Sequence, residues 1–364
     1  MKVVCYINKL GGGGAERVMS VLANGLYRSG HDITLVTDYS VSDTYPLDPS
    51  IQHIVLDGAF TGATKKGRIQ RTVRRIFQLR RICRNLQADI VISFMRDSNF
   101  RAILATLFLS TKSLISVRVD PKIGYKKCST AILARSLYPL ADGCVFQTPD
   151  AQAWFPEPIQ RKSRIILNPV SDSFYSTCGE PLREKRVVSC GRLEHQKRFD
   201  LLINAFARVC DDFPEFTLEI YGTGKLEETL QAQINSIHRQ ERIKLMGRCS
   251  DVPNTIRDAS LFVLSSDFEG LPNALMEAMA LGLPVISTDC GGGGARALIE
   301  NEVDGLIIPC DNAEALSEAI YSSLKDIDSA IMRGNRARQK ALNYAASHVV
   351  AQWEQYIKEL CQTK

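Results

Sequence analysis

Thirteen short apolar segments, separated by stretches of helix length, run through the whole chain, and this alternation is what most narrows the folds open to it. In the first half the segments fall at 2–8, 33–37, 51–56, 89–94, 113–119, 143–148 and 164–167. Between the first two, Val18, Val21, Leu22 and Leu26 recur at helical spacing. Regular succession of strand and helix is the signature of a parallel sheet covered by helices. The rhythm breaks at Asn168-Pro169 and through Ser171, Asp172, Ser173, Gly179 and Pro181, polar enough for a linker, then restarts at 186–190, 217–221, 243–246, 261–265, 284–288 and 306–309. The sequence therefore predicts an α/β protein of two doubly wound parallel-sheet domains, 1–170 and 180–344. Its 364 residues and 45% hydrophobic content are enough for two ordinary cores. Open α/β sheets take ligands beyond the carboxyl ends of their strands, so the active site is expected where two such domains face each other across a cleft. The tail, 345–364, reads as a helix whose Trp353 and Tyr356 are available to pack back on the first domain.

In the second domain Glu269-Gly-Leu-Pro-Asn-Ala-Leu-Met-Glu277 sets two carboxylates on either side of a helix start. Pro272 has a fixed φ and no N–H to lose, which places it in the first helical turn, so the amides of Asn273, Ala274 and Leu275 would point out of the helix N-terminus. Such an end attracts anions. With Glu277 a turn further in and Glu269 on the preceding loop, a ligand carrying phosphate in its middle and hydroxyls at both ends would be held at three points. A nucleotide-sugar has that shape. Taken alone, the two acids are equally consistent with an ordinary loop residue and a charge near the positive end of a helix dipole. The same domain opens with Gly191-Arg192 at the end of a strand and Lys197 shortly after. A planar guanidinium and an ammonium there can neutralise a pyrophosphate as it leaves.

The first strand runs into Gly11-Gly12-Gly13-Gly14-Ala15-Glu16-Arg17, where backbone amides can approach a phosphate or sugar closely. The dinucleotide fingerprint fails in its third place, occupied by Glu16 or Arg17 depending on the phase. Asp38, near where a ribose-binding acid would fall, is the remaining feature of a dinucleotide reading.

Gly191-Arg192, Lys197 and the pair Glu269/Glu277 within FEGLPNALMEAMALGLPVISTD together resemble the retaining glycosyltransferases of family 4, of the GT-B fold with two Rossmann-like domains, and GGGGAER resembles their first-domain loop. The resemblance implies that Arg192 and Lys197 bind the donor diphosphate, Glu277 the ribose and Glu269 the donor sugar near the reacting carbon. Backbone around Gly247 and Arg248 would hold the base, and Gly13, Gly14 and Glu16 would lie near donor and acceptor. Neither metal nor other cofactor is expected, because Arg192, Lys197 and the helix N-terminus would stabilise the departing charge. Two departures from the family pattern stand out. Where many relatives carry a His, this chain has Ser116-Val-Arg118-Val-Asp120-Pro; Arg118 is no base, but could steady a hydroxyl or phosphate, with Asp120 left to orient the acceptor. The loop from Cys290 to Ala297 lacks the acid usual near Ala297.

Nine basic residues and no acid lie between Lys65 and Arg84, with Ile69, Val73, Ile76 and Cys83 at helical spacing. This pattern predicts a helix with one apolar and one basic face, suited to anionic lipid through Arg74, Arg75, Arg80 and Arg81, or simply packed with its charges in water. Nucleic acid is not expected as a partner, since Phe77 is the one aromatic there and no reader motif accompanies it. The eleven scattered cysteines, never at C-x-x-C spacing, and the lack of a signal-peptide pattern at MKVVCYINKL point to the cytoplasm, here at the inner face of the membrane. The expected activity is that of a metal-independent, retaining hexosyltransferase moving sugar from a UDP-linked donor to a lipid-linked saccharide in bacterial surface-polysaccharide or glycan assembly. A nucleotide-sugar epimerase or phosphorylase of similar fold, or a noncatalytic nucleotide-dependent membrane-binding protein, are the alternatives.

Overall fold

The computed structural model describes residues 1–42, 45–56, 65–176 and 182–362, without the side chains of Lys65 and Lys66. Gly179 and Pro181 of the expected linker, the domain start at 180 and the last two residues of the tail lie outside the described residues. The chain divides into two compact units, Met1–Pro169 with Ala346–Lys364, and Val170–Ala345.

The first unit is a seven-stranded sheet of β1 (Lys2–Ile7), β2 (Asp32–Thr37), β3 (Gln52–Val55), β4 (Ile90–Phe94), β5 (Lys112–Ser116), β6 (Gly143–Phe146) and β7 (Ser163–Ile165). The spatial order is β3-β2-β1-β4-β5-β6-β7, with every pairing parallel. Both faces are covered, which is why β1 and β4 read as unbroken apolar runs rather than alternating ones. Val3, Cys5 and Ile7 point to one face, where they join α1 (Gly14–Arg28) and the C-terminal helix Ala346–Gln362, whose Trp353 is wholly buried. Val4 and Tyr6 point to the other, against α2 (Lys65–Leu86) and α3 (Arg96–Thr106). The short α4 (Pro121–Gly124) and then α5 (Cys128–Leu137) follow β5, and Ala134 of α5 shares a cluster with Ile103 of α3 and Ile115 of β5. The layer opposite α1 is thus α2, α3 and α5.

The second unit repeats the plan with β8 (Glu184–Cys190), β9 (Thr217–Tyr221), β10 (Ile243–Gly247), β11 (Ala259–Leu264), β12 (Val285–Thr288) and β13 (Leu306–Ile308) in the order β10-β9-β8-β11-β12-β13, all parallel. Winding direction reverses between β1 and β4 in the first unit and between β8 and β11 in the second. Among the described residues, no helix is long and apolar enough to cross a membrane.

Helix α2 corrects the expectation made for it. Ile69, Val73 and Phe77, one turn apart from each other, are 68%, 45% and 66% exposed, while Leu79 and Cys83 are buried. The inward stripe runs through Arg75, Leu79 and Cys83 at i, i+4, i+8, and the residues at 69, 73 and 77 fall on another side of the helix. Arg75 is therefore not lipid-facing: it is buried and donates from Nη1 to Asp38 Oδ2 at 3.1 Å. Arg80 is likewise a structural residue, donating to the carbonyls of Ala105 (2.9 Å) and Leu107 (2.6 Å) at the end of α3. Arg68, Arg74, Arg81 and Arg84 remain exposed, and by helix geometry Arg74, Arg81 and Arg84 lie beside the apolar stripe instead of opposite it.

Candidate active site

The reversal in the second sheet sets the ends of β8 and β11 side by side, and the loops leaving them carry the chemistry. Gly191 follows β8 and donates its amide to Tyr221 O at 2.9 Å, while Gly222 donates to Gly247 O at 2.7 Å. A Cβ on Gly222, whose φ is +146°, would come within 1.8 Å of the Gly191 carbonyl oxygen, so only glycine allows these strand ends to draw together. Gly222 and its neighbour Gly224 were missed by sequence reasoning; Gly-x-Gly directly after a strand was the available signal.

Lys197 closes the 3₁₀ turn His195–Lys197. Its carbonyl accepts from Ser265 Oγ at 2.7 Å and its Nζ lies 2.7 Å from Glu269 Oε1. Ser266 Oγ donates to that same carboxylate oxygen at 2.9 Å. Gln196 completes the stitching, donating from Nε2 to Phe268 O at 2.7 Å and accepting from Asp267 N at 2.9 Å. Glu269 is thus a fixed carboxylate, held by an ammonium and a hydroxyl whose own loops are tied together. Ser266 is a further residue that the sequence did not single out. Behind Glu269, its amide donates to Gly291 O at 3.2 Å, and a Cβ on Gly294 would fall 2.4 Å from Gly270 O. The glycine run after β12 therefore lies directly on the Glu269 loop.

The helix following that loop is Asn273–Ala280, with Pro272 as its N-cap, one position earlier than expected. By helix geometry the amides of Asn273, Ala274 and Leu275 point out of its N-terminus. Glu277, on the second turn, is buried. It lies near enough to Cys190, at the end of β8, to add to burial in pushing that thiol's pKa up. Arg192 is by contrast 64% exposed, and its Nη1 lies 3.3 Å from Glu194 Oε1. Gly247 adopts φ +71°, and Arg248 beside it is exposed. The second unit thus brings together Gly191, Lys197, Glu269 and Glu277 near one helix N-terminus, with Arg192 at the rim. No group of three or more His, Cys, Asp or Glu that could hold a metal ion occurs among the described residues.

In the first unit Gly13 is the N-cap of α1 and Gly14 its first residue. A Cβ on Gly13 would meet Glu16 Oε2 at 2.1 Å, so the Glu16 carboxylate folds back over the cap as an acid at N3 does. Asp38 is not available to a ribose: Tyr6 Oη donates to Oδ1 at 2.7 Å, and Arg75 and Arg101 both donate to Oδ2. Asp120, only 5% exposed, caps α4 by accepting from Lys122 N at 2.9 Å, a structural task that occupies one of its oxygens. Arg118 lies just beyond β5 with its guanidinium over the Phe94 ring, 4.0 Å from the centroid.

The family described as Glycosyl transferases group 1 matches residues 177–340, and Glycosyltransferase Family 4 matches residues 12–174. A Campylobacter jejuni protein named GalNAc-alpha-(1->4)-GalNAc-alpha-(1->3)-diNAcBac-PP-undecaprenol alpha-1,4-N-acetyl-D-galactosaminyltransferase is 28% identical over 370 residues, covering 99% of each chain. A second from the same organism, N-acetylgalactosamine-N,N'-diacetylbacillosaminyl-diphospho-undecaprenol 4-alpha-N-acetylgalactosaminyltransferase, is 26% identical over 93% of this chain and 94% of its own. Among solved structures, sucrose-phosphate synthase from Thermosynechococcus elongatus superposes with TM-score 0.85 at 16% identity over the whole of both chains. Anabaena HepE in complex with UDP does so with TM-score 0.79 at 17% identity, over 99% of this chain and 100% of that one. The two-sheet architecture is the GT-B fold of these neighbours.

Proposed function

Because the chain belongs to the family 4, group 1 glycosyltransferases, we propose that it moves a sugar from a nucleoside diphosphate donor, with UDP as the nucleotide, to a saccharide carried on a lipid diphosphate, retaining anomeric configuration. The observation that carries this reading is the fixed Lys197–Glu269–Ser266 constellation beside a helix N-terminus at the β8/β11 reversal. The printed names of the two Campylobacter relatives support the lipid-linked acceptor, and the UDP complex of the Anabaena neighbour supports the nucleotide.

As the bond to the leaving diphosphate breaks, negative charge grows on its oxygens. Lys197, Arg192 and the amides of the helix Asn273–Ala280 are the groups that stabilise it, without a metal ion. Glu269 orients the donor sugar, and Lys197 and Ser266 keep its carboxylate from swinging. Glu277 accepts from the ribose hydroxyls. No carboxylate is assigned as nucleophile, so retention follows from attack on the face the leaving group departs, with the acceptor proton passing to the leaving phosphate. The exposed stripe Ile69, Val73 and Phe77, flanked by Arg74 and Arg81, supports a second element of the proposal, docking of α2 on an anionic membrane on the cytoplasmic side where the acceptor resides. The chain would then act in assembly of a surface polysaccharide or glycan.

Purified protein given UDP-N-acetylgalactosamine or UDP-glucose and a saccharide on polyprenyl diphosphate is expected to form an α-linked product, with chelator present throughout. Donor isomerisation without acceptor would instead identify an epimerase, phosphate-dependent cleavage a phosphorylase, and donor binding without turnover a binding protein. Strict need for a divalent ion would contradict the metal-free mechanism.

A further inference from the structure

Arg118 is half-buried, and its guanidinium is paired with no carboxylate among the described residues. Its Cζ lies over the Phe94 ring, 4.0 Å from the centroid, and 5.5 Å from the centroid of the Trp353 ring. Nη1 donates to Asn168 Oδ1, which also accepts from Gln147 Nε2. Nε and Nη2 are buried and make no hydrogen bond. Those two N–H groups form one edge of the guanidinium, the edge that meets two oxygens of an oxyanion side by side. An enclosed cation with two unmade hydrogen bonds destabilises a fold unless something pairs with it. Burial has pulled the Arg118 pKa down to about 9, consistent with the missing counter-ion. The aromatic pair and Asn168 hold the group in place and still leave that edge unused. Arg118 also stands at the carboxyl edge of the sheet, where open α/β sheets take their ligands.

We propose that Arg118 is a two-point binding site for a phosphoryl group of a substrate. A guanidinium donates and cannot accept, so a hydroxyl is a poorer match for both N–H groups than an acceptor-only oxyanion. The anion site stands on the geometry; its assignment to phosphoryl rather than carboxylate rests on the glycosyl-transfer reading above. Two sources offer that chemistry, the lipid diphosphate of the acceptor and the diphosphate of the nucleotide.

Calorimetric titration of the full chain with geranyl diphosphate and, separately, with UDP distinguishes them. In Arg118→Met the Kd of the ligand that uses the site is expected to rise by about 10- to 100-fold, as for the loss of charge-assisted hydrogen bonds. A rise for geranyl diphosphate alone assigns the acceptor's phosphoryl group; a rise for UDP assigns the nucleotide's. Arg118→Met keeps the volume and removes an uncompensated charge, so its Tm should equal or exceed that of the wild type. Should it fail to fold, Arg118→Lys, which keeps a charge but loses the two-point edge, carries the test with a smaller expected rise. Unchanged Kd for both ligands in a folded variant overturns the proposal. Lys197→Ala, measured alongside, should weaken UDP alone. Loss there with Arg118→Met silent leaves the transferase reading standing, whereas loss of geranyl diphosphate binding in Arg118→Met with no UDP binding by wild type does the opposite.

Discussion

Lys197 and Glu269 share one short contact of 2.7 Å with both side chains largely enclosed, so neither can be altered without changing what the other does. Removing the ammonium leaves Glu269 with Ser266 alone, and neutralising the carboxylate frees Lys197 to move. Each single change, Lys197→Ala or Glu269→Gln, is expected to lower kcat/KM by about 100- to 1000-fold, the scale seen when one donor to a developing charge is lost. The double variant should be little worse than either single one, because residues acting as a unit are not additive. Steady-state kinetics on the four proteins check this, and additive losses would mean that the two act independently. Both residues were legible in the sequence because Lys197 follows a strand end in the same domain where Glu269 and Glu277 flank a helix start. Ser266 was not, since a serine after a strand has many uses and only the folded loop aims its hydroxyl at Glu269 Oε1. Asp38 was the one remaining feature of a dinucleotide reading whose fingerprint fails, and its structural task was not legible either. Its position fits a ribose acid, but its partners Arg75 and Arg101 arrive from distant α2 and α3, and long-range pairing leaves no local mark.

For helix α2 the composition was legible and the orientation was not. Apolar residues occur on two sides of it, so the 3.6-residue period alone does not say which side the sheet takes, and the charge-paired Arg75 turned out to share the inner one. This separation makes the membrane proposal testable within one element. Changing the outer residues, as in Arg74→Glu with Arg81→Glu and Phe77→Ser, should release the protein from vesicles containing anionic lipid and leave its thermal unfolding nearly unchanged. Each basic residue near such a surface contributes about 1 kcal/mol, and added salt should weaken the wild type in the same direction. Arg75→Glu should behave differently, lowering Tm because two carboxylates would then meet in the interior beside Asp38, with Arg101 alone to balance them. Vesicle flotation and thermal melts of both variants decide the matter. Equal flotation of the outer variant and wild type would make the exposed stripe a surface without that partner.

At the scale of the molecule, the thirteen strands were readable because parallel strands covered on both faces leave dense apolar runs. Their spatial order was not, since the reversals at β1/β4 and β8/β11 depend on which side each crossover takes. The C-terminal helix shows how far sequence separation can mislead about contact: Trp353 lies 5.6 Å from Phe94, ring to ring, in the first unit's core, although the whole of the second unit intervenes in the chain. Trp353 is wholly buried and sits with Val3, Cys5, Ile92 and Leu114 in one cluster. Truncating such a side chain costs about 3–5 kcal/mol, through lost burial and the cavity left behind. In Trp353→Ala that loss falls on the first unit. Amide hydrogen exchange should accordingly speed up in β1, β4 and β5, whose side chains touch the cavity, and stay unchanged in β8 through β13, whose core has its own members. The same substitution removes one of the two rings beside Arg118, so the guanidinium should be held less firmly, and any ligand bound through that edge should weaken with it. Uniform acceleration in both sheets would show instead that the two units open as one, and that the returning helix is not a support of the first alone.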